Sequence, residues 1–302
     1  MRRLVESNKV AKMSRLPSWI RSSLRTESGY AQVDHLMSSL GLHTVCESAR
    51  CPNKHECWNR ATATVMILGD TCTRNCLFCA VKTGLPGAVD AEEPGKVARA
   101  AKTLGLRHVV LTSVTRDDLP DGGAAHFSET ILAIRRECPN AAVEVLTPDF
   151  KGNSSSLQKV FLAQPDVFNH NLETVERLQA TIRPQASYRC SLGVLKQAAE
   201  WRPTLRVKSG LMLGLGETEE ELMAAMNDLL TAGCSLLTLG QYLAPSRRHV
   251  PVAHFYAPAE FEHWADRARQ MGFKEVAAGP MVRSSYKADE LARRATDPKA
   301  EA

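Results

Sequence analysis

Short apolar runs rich in Val, Ile, Leu and Thr occupy residues 64–68, 108–114, 142–146, 167–171, 205–213 and 236–243, and their composition predicts strands. Residues 94–104, 123–137, 155–163, 186–201, 219–232 and 258–271 instead carry apolar positions at helical spacing. The helix after Gly216 is the clearest. Thr218 and Glu221 form a capping box, Leu222, Met226, Leu229 and Leu230 make an apolar stripe, and Gly233 ends it. Six strand-then-helix units predict an α/β fold with a parallel sheet, and curling that sheet into a full or partial barrel is the natural way to use them. The expected organisation is an irregular N-terminal extension over residues 1–60, a barrel over 61–272 and a tail over 273–302.

Of the 302 residues, 44% are hydrophobic and 24% charged, the balance of a soluble globular protein with a sizeable core. Nine cysteines are too sparse for a disulfide scaffold in so long a chain, their number is odd, and six lie between Cys46 and Cys79. That distribution favours metal or redox chemistry in a reducing cytoplasm. The formal charge of +5 is concentrated at the N-terminus, where Arg2, Arg3, Lys9, Lys12, Arg15, Arg21 and Arg25 face only Glu6 and Glu27. The remaining 31 basic and 31 acidic residues balance, so the body lacks the basic face that nucleic-acid binding needs. The arm is expected to be a solvated terminus, with docking of an acidic partner or a transit peptide as sharper alternatives. Its shortness before Pro17 favours a bacterial-type cytoplasmic protein, and no apolar stretch is long enough for a secretory signal or a membrane span.

Three thiols, Cys72, Cys76 and Cys79, follow the first strand with gaps of three and two residues and no fourth nearby. A structural zinc site takes four protein ligands, and a catalytic one usually includes His or a carboxylate. Closely spaced thiolates on a loop suit an iron–sulfur cluster better, because soft sulfur matches its iron. A [4Fe–4S] cube held at three corners leaves one iron open to an outside ligand. The loop also leaves the C-terminal end of a strand, the edge where parallel barrels place their chemistry. A second trio, Cys46, Cys51 and Cys57, has gaps of four and five. Again no fourth thiol completes it, so a second cluster needs a ligand other than cysteine or an open site.

The three-and-two spacing after the first strand of a parallel barrel resembles the radical S-adenosylmethionine (SAM) superfamily, which implies a partial (β/α)6 barrel with its extensions capping the open face. The resemblance implies that SAM chelates the open iron through its amino and carboxylate groups, and that an electron from the reduced cluster splits it into methionine and a 5′-deoxyadenosyl radical. It places Phe78 beside the adenine, against a plain core-packing role. Gly214 and Gly216, after the fifth strand, become a SAM-contacting loop, where a lone GxG would mark only a tight turn. Asn171 and Glu173 stand where polar groups could hold the ribose or methionine part of SAM, against service as a helix cap and first-turn acid. For Arg116, Asp117 and Asp118 a solvated turn competes with a cofactor role.

Residues 44–79 taken whole, with 111–123, 144–150, 170–174, 208–217, 240–243 and 282–286, closely resemble the lipoyl synthases, and the match runs from about Pro17 to Ala288. In that family a second [4Fe–4S] cluster is held by the four-and-five cysteines, here Cys46, Cys51 and Cys57, and by the serine before the tyrosine of the C-terminal motif, here Ser285. Serine oxygen is a harder ligand than thiolate and should detach more easily, which suits a cluster dismantled to provide sulfur. The implied reaction inserts two sulfurs at carbons 6 and 8 of an octanoyl chain on a lysine of a carrier domain. The implied partners are an octanoylated lipoyl carrier of the 2-oxoacid dehydrogenase E2 or glycine cleavage H protein type, and an electron donor such as ferredoxin or flavodoxin. The expected N- and C-terminal cap over the barrel mouth would exclude water. Cys138, Cys190 and Cys234 are expected to be structural, and His55 a loop residue. Another radical SAM sulfur-inserting enzyme would keep the barrel without the four-and-five cysteines and the serine motif. A two-cluster electron carrier would need no SAM pocket.

Overall fold

The computed structural model describes residues 16–20, 28–60 and 62–294. The basic arm residues Arg2, Arg3, Lys9, Lys12, Arg15, Arg21 and Arg25 lie outside them. In chain order the elements are α1 (Ser28–Leu40), β1 (His43–Thr44), α2 (Val45–Ser48), α3 (Lys54–Asn59), β2 (Thr64–Ile67), β3 (Thr71–Cys72) and β4 (Lys82–Thr83). Then follow α4 (Glu93–Thr103), β5 (His108–Ser113), α5 (Ala124–Glu137), β6 (Ala142–Leu146), α6 (Ser154–Leu162), β7 (Val167–Asn169), α7 (Glu176–Ile182) and α8 (Tyr188–Trp201). The chain continues through β8 (Arg206–Leu213), α9 (Glu219–Thr231), β9 (Leu236–Gln241), α10 (Pro258–Met271), β10 (Glu275–Gly279) and α11 (Ala288–Arg294).

One eight-stranded sheet runs in the order β1-β2-β5-β6-β7-β8-β9-β10. All of its pairings are parallel except β1 with β2, and β1 and β10 do not pair, so the sheet stays open. The six expected strands are β2, β5, β6, β7, β8 and β9; β10 extends the sheet beyond them. Helix starts follow local chemistry. The Asn153 side chain accepts from the N–H groups of Ser155 and Ser156 at α6, and Ser187 accepts from Cys190 at α8. The Thr218–Glu221 capping box forms at α9.

Strand alternation divides the sheet into an apolar outer face and a polar inner one. On β5, Val109 and Leu111 join the large core with Ala98, Ala101, Phe127 and Ile131 of α4 and α5. Val110, on the other face, lines a cavity with Ala142 and Arg206. The inner face carries Glu144 and Lys208, both about 1% exposed, an unusual burial for these types unless they are paired.

The flanking segments pack onto the sheet. Helix α1 packs against α3 and α4, Tyr30 lies 5.1 Å from the buried Trp58, and a Cβ on Gly29 would overlap the Asn59 carbonyl. Leu291 of α11 packs on Val167 and Leu236, the first residues of β7 and β9. The C-terminal helix therefore covers the N-terminal edge of the sheet, opposite the edge bearing the Cys72–Cys79 loop. Residues 16–20 approach that opposite edge, where the Trp19 Nε1–H donates to the Tyr256 carbonyl at 3.2 Å. Between β10 and α11 the chain crosses the inner face. A Cβ on Gly240 would overlap the Val282 carbonyl oxygen, and one on Gly210 would stand 2.6 Å from Thr238 Oγ1 and 3.3 Å from Ser284 Oγ.

Candidate active site

The first thiol loop begins where β2 ends. Leu68 and Gly69 turn the chain with φ of 68° and 90°, a left-handed conformation that a leucine seldom adopts. The Leu68 N–H donates to the buried Glu93 carboxylate at 2.8 Å, which is also 2.6 Å from His126 Nε2, so the strained turn is anchored to α4. Beyond it, Cys72 Sγ accepts from the backbone N–H groups of Arg74 at 3.4 Å and Thr115 at 3.3 Å. Arg74 binds Asp117 through Nε (2.7 Å) and Nη2 (3.0 Å) and Asp149 through Nη1 and Nη2 (2.7 Å each). It thereby clamps the cysteine loop to the loops that leave β5 and β6. Arg116 donates to Asp118 and to the Leu68 and Gly87 carbonyls, so Arg116, Asp117 and Asp118 brace this loop and are more than a solvated turn.

Burial pushes the Cys76 and Cys79 thiols up, Cys79 to about 12, and Arg183 pulls Cys76 the other way. Arg183 also donates to the Asn171 and Leu172 carbonyls at 3.3 and 3.1 Å, joining the thiol loop to the end of β7. Asn171 Nδ2 donates to Glu173 Oε1 at 3.1 Å and to Ser284 Oγ at 2.6 Å, while its Oδ1 is buried without a partner among the described residues. Glu173 takes φ of 70°, and burial raises its carboxyl above the usual range although Arg183 opposes this. Neither residue caps a helix here; α7 begins at Glu176 with Val175 as its N-cap.

Phe78 packs with Ile182, Leu215 and Tyr242, which puts it against the Gly214–Gly216 turn. The two glycines have φ of 102° and 103°, and a Cβ on Gly214 would overlap Gln241 and the His254 carbonyl. The N–H groups of Gly214 and Leu215 donate to the Glu217 carboxylate at 2.6 and 2.9 Å, so those amides already have an acceptor. Phe78, Asn171, Glu173, Gly214 and Gly216 thus gather around the first thiol loop, with Arg74, Arg183 and Glu217 as partners that sequence reasoning missed. Only Arg74 left a signal, as the single charged residue between Cys72 and Cys79.

The second trio lies on α2, α3 and the turn joining them. Cys46 is buried, Cys51 and Cys57 partly so. Burial raises all three thiols, Cys57 to about 12, and Cys46 and Cys51 each add to the rise at Cys57. The buried Trp58 indole N–H lies beside Cys46 and favours its thiolate. The C-terminal segment reaches this trio: Asn53 Nδ2 donates to the Met281 carbonyl at 2.6 Å, and Tyr286 OH donates to Glu56 Oε1 at 2.8 Å. Cys57 and Ser285 line one cavity of about 540 Å³. His55 stacks on Tyr30 at 5.0 Å. Cys138, Cys190 and Cys234 stand apart from both trios; Cys234 is buried, and Cys190 lies at Gly152.

Among the described residues no three His, Cys, Asp or Glu side chains converge on a point fit for one metal ion. Ligands of a four-iron cube each take a different iron and stand apart, so the trios suit a cluster better than a mononuclear ion. Thiols held protonated by burial become ligands when metal charge displaces the proton, and the backbone and indole donors are in place to receive the thiolates.

An open, mostly parallel strand–helix sheet with a three-thiol loop at the end of its first parallel strand is the architecture of the radical SAM superfamily, whose sequence model matches residues 66–229. The fold is similar to that of Streptococcus suis SuiB bound to S-adenosylmethionine (TM-score 0.54, 10% identity, 70% of this chain and 48% of that one). A second model, for the N-terminal domain of lipoyl synthase, matches residues 2–51. The lipoyl synthase of Symbiobacterium thermophilum is 55% identical over 94% of this chain and 89% of its own length, and that of Bacillus mycoides 51% identical over 97% and 99%. The chain belongs to the lipoyl synthase family.

Proposed function

We propose that this enzyme inserts two sulfur atoms, at carbons 6 and 8, into an octanoyl group carried in amide linkage on a lysine of a lipoyl carrier domain. The carrier is of the 2-oxoacid dehydrogenase E2 or glycine cleavage H protein type, and a ferredoxin or flavodoxin supplies electrons. One observation carries this function: two separate sets of three thiols, each without a fourth, one of them sharing a cavity with Ser285. When bound, the two clusters and SAM supply the one-electron chemistry that removes a hydrogen from an unactivated carbon and the sulfur that replaces it.

The protein's part is to hold, orient and exclude water. Cys72, Cys76 and Cys79 hold the first cluster, with the Arg74 and Thr115 N–H groups steadying the Cys72 sulfur. Cys46, Cys51, Cys57 and Ser285 hold the auxiliary cluster. Phe78, with Ile182, Leu215 and Tyr242, gives an apolar wall for the adenine. Gly214 and Gly216 let the backbone approach SAM closely, and the buried Asn171 and the partly buried Glu173 offer polar groups to its ribose or methionine part. Nine free thiols suit a reducing cytoplasm, and no described helix is long and apolar enough to cross a membrane.

The test is an anaerobic reaction of reconstituted protein with SAM, dithionite and an octanoyl-lysine peptide, following peptide mass and 5′-deoxyadenosine. One and then two sulfurs on the peptide are expected. 5′-Deoxyadenosine without sulfur would redirect the substrate assignment, and neither product from protein holding both clusters would refute the proposal.

A further inference from the structure

The mechanism above leaves unused a buried ionic group on the inner face of the sheet. Lys208 of β8, with a side chain 1% exposed, donates through Nζ to Glu144 Oε1 of β6 at 2.7 Å and to the Ser284 carbonyl oxygen at 2.6 Å. His108 Nε2 of β5 lies 3.2 Å from Glu144 Oε2, so both carboxylate oxygens are occupied. Replacing such a pair with apolar groups of similar volume is often neutral or stabilising, so its presence is poorly explained by stability. What distinguishes it is the third partner. The ammonium ends on the residue directly before Ser285, and Asn171 grips the same residue at Oγ, 2.6 Å away. Gly210 and Gly240 leave room for the segment on either side of this grip, where a Cβ would press on Ser284 and on Val282.

We propose that Lys208 is a positioning residue for the auxiliary site. Oriented by Glu144, its ammonium fixes the Ser284 carbonyl and so presents Ser285 to the trio of Cys46, Cys51 and Cys57. The inference rests on Ser285 being the fourth ligand of the auxiliary cluster. A loop residue is otherwise free to swing, and a metal ligand has to be held within about 0.5 Å of its working position.

The test compares the wild type, Ser285→Ala and the double variant Lys208→Met with Glu144→Gln, all reconstituted anaerobically. The double variant removes the donor to Ser284 without leaving a buried carboxylate unpaired. The readouts are iron per chain and the Mössbauer and electron paramagnetic resonance signals of the two clusters, with the response of the first cluster to SAM as the control for an intact first site. The expected result is an altered or missing auxiliary signal in both variants, with the first cluster and its SAM response kept. An altered signal in Ser285→Ala but a wild-type one in the double variant would overturn the role of Lys208 alone. A wild-type auxiliary signal in Ser285→Ala would overturn the ligand assignment and this inference with it. Loss of both clusters in the double variant would make Lys208 a residue of the fold and would overturn it as well.

Discussion

Replacing Arg74 with methionine should destabilise the protein by about 3 to 5 kcal/mol and deplete the first thiol set of iron while the second stays filled. The Arg74 side chain is 5% exposed and divides its fork between Asp149, 3% exposed, and Asp117, 24% exposed. Burial alone would push the Asp149 carboxyl up; Arg74 overcomes this and holds it at about 2, below the ordinary 3.8. That difference corresponds to about 2.5 kcal/mol. The bond to Asp117 is partly screened by water and adds about 1 kcal/mol or less. Together they reach the lower end of the range seen when one partner of a buried pair is removed. Guanidinium unfolding of cluster-free protein reads the stability without metal release distorting the two-state treatment. Iron content and electron paramagnetic resonance after reconstitution read the two sites separately. Adding Asp117→Asn and Asp149→Asn should restore most of the loss, because no buried charge is then left alone. A loss below about 1 kcal/mol, the range of exposed pairs, or a triple variant no more stable than the single, would refute the clamp.

Other outcomes follow from the same geometry. Cys76→Ala and Cys57→Ala should each abolish one cluster signal and spare the other, since the two trios share no residue; loss of both signals in either variant would contradict separate sites. Gly240→Ala, whose Cβ would overlap the Val282 carbonyl, should displace the C-terminal segment and selectively lower the iron of the auxiliary site, measured against an unchanged first cluster. His170 is fully buried between the Thr147 carbonyl at 2.8 Å and Ser191 Oγ at 3.0 Å, and burial pushes its pKa down to about 4. The unfolded chain takes up that proton first, so stability should fall as pH drops below about 6.5 and level off near 4, by about 3 kcal/mol in all. His170→Gln should flatten that limb in denaturant titrations between pH 7 and 5. This lies above the window in which the Glu144 carboxyl, held at about 2 by Lys208 and His108 against burial, loses its contribution.

The parts legible in the sequence were those encoded locally. The buried runs of β2, β5 and β8 announced strands, and the box at Thr218 and Glu221 marked the start of α9. The cysteine gaps named both trios outright. Strand β10, with the sequence Glu-Val-Ala-Ala-Gly, carries almost no strand propensity and exists because β9 offers it an edge. Helix α7 has seven residues, too few for a periodic pattern to stand out. The Arg74 clamp and the Lys208–Glu144 pair join residues 43 to 75 positions apart, and no local rule says which lysine will meet which carboxylate. The place of α11 was hidden for the same reason: its leucine finds the first residues of β7 and β9 only after the sheet exists.

That late arrival has a consequence for how the chain matures. Bonds between Asn53 and Met281 and between Tyr286 and Glu56 span 228 and 230 residues of a 302-residue chain. The first thiol loop closes on Thr115, Ile182 and Val250, all made earlier. During synthesis the N-terminal parts of a chain leave the ribosome first, and long-range closures come last. Cys46, Cys51 and Cys57 are therefore the first cysteines to emerge and the last to gain their complete surroundings. A nascent chain short of residue 281 therefore lacks the partners of Asn53 and Glu56 beside the second trio.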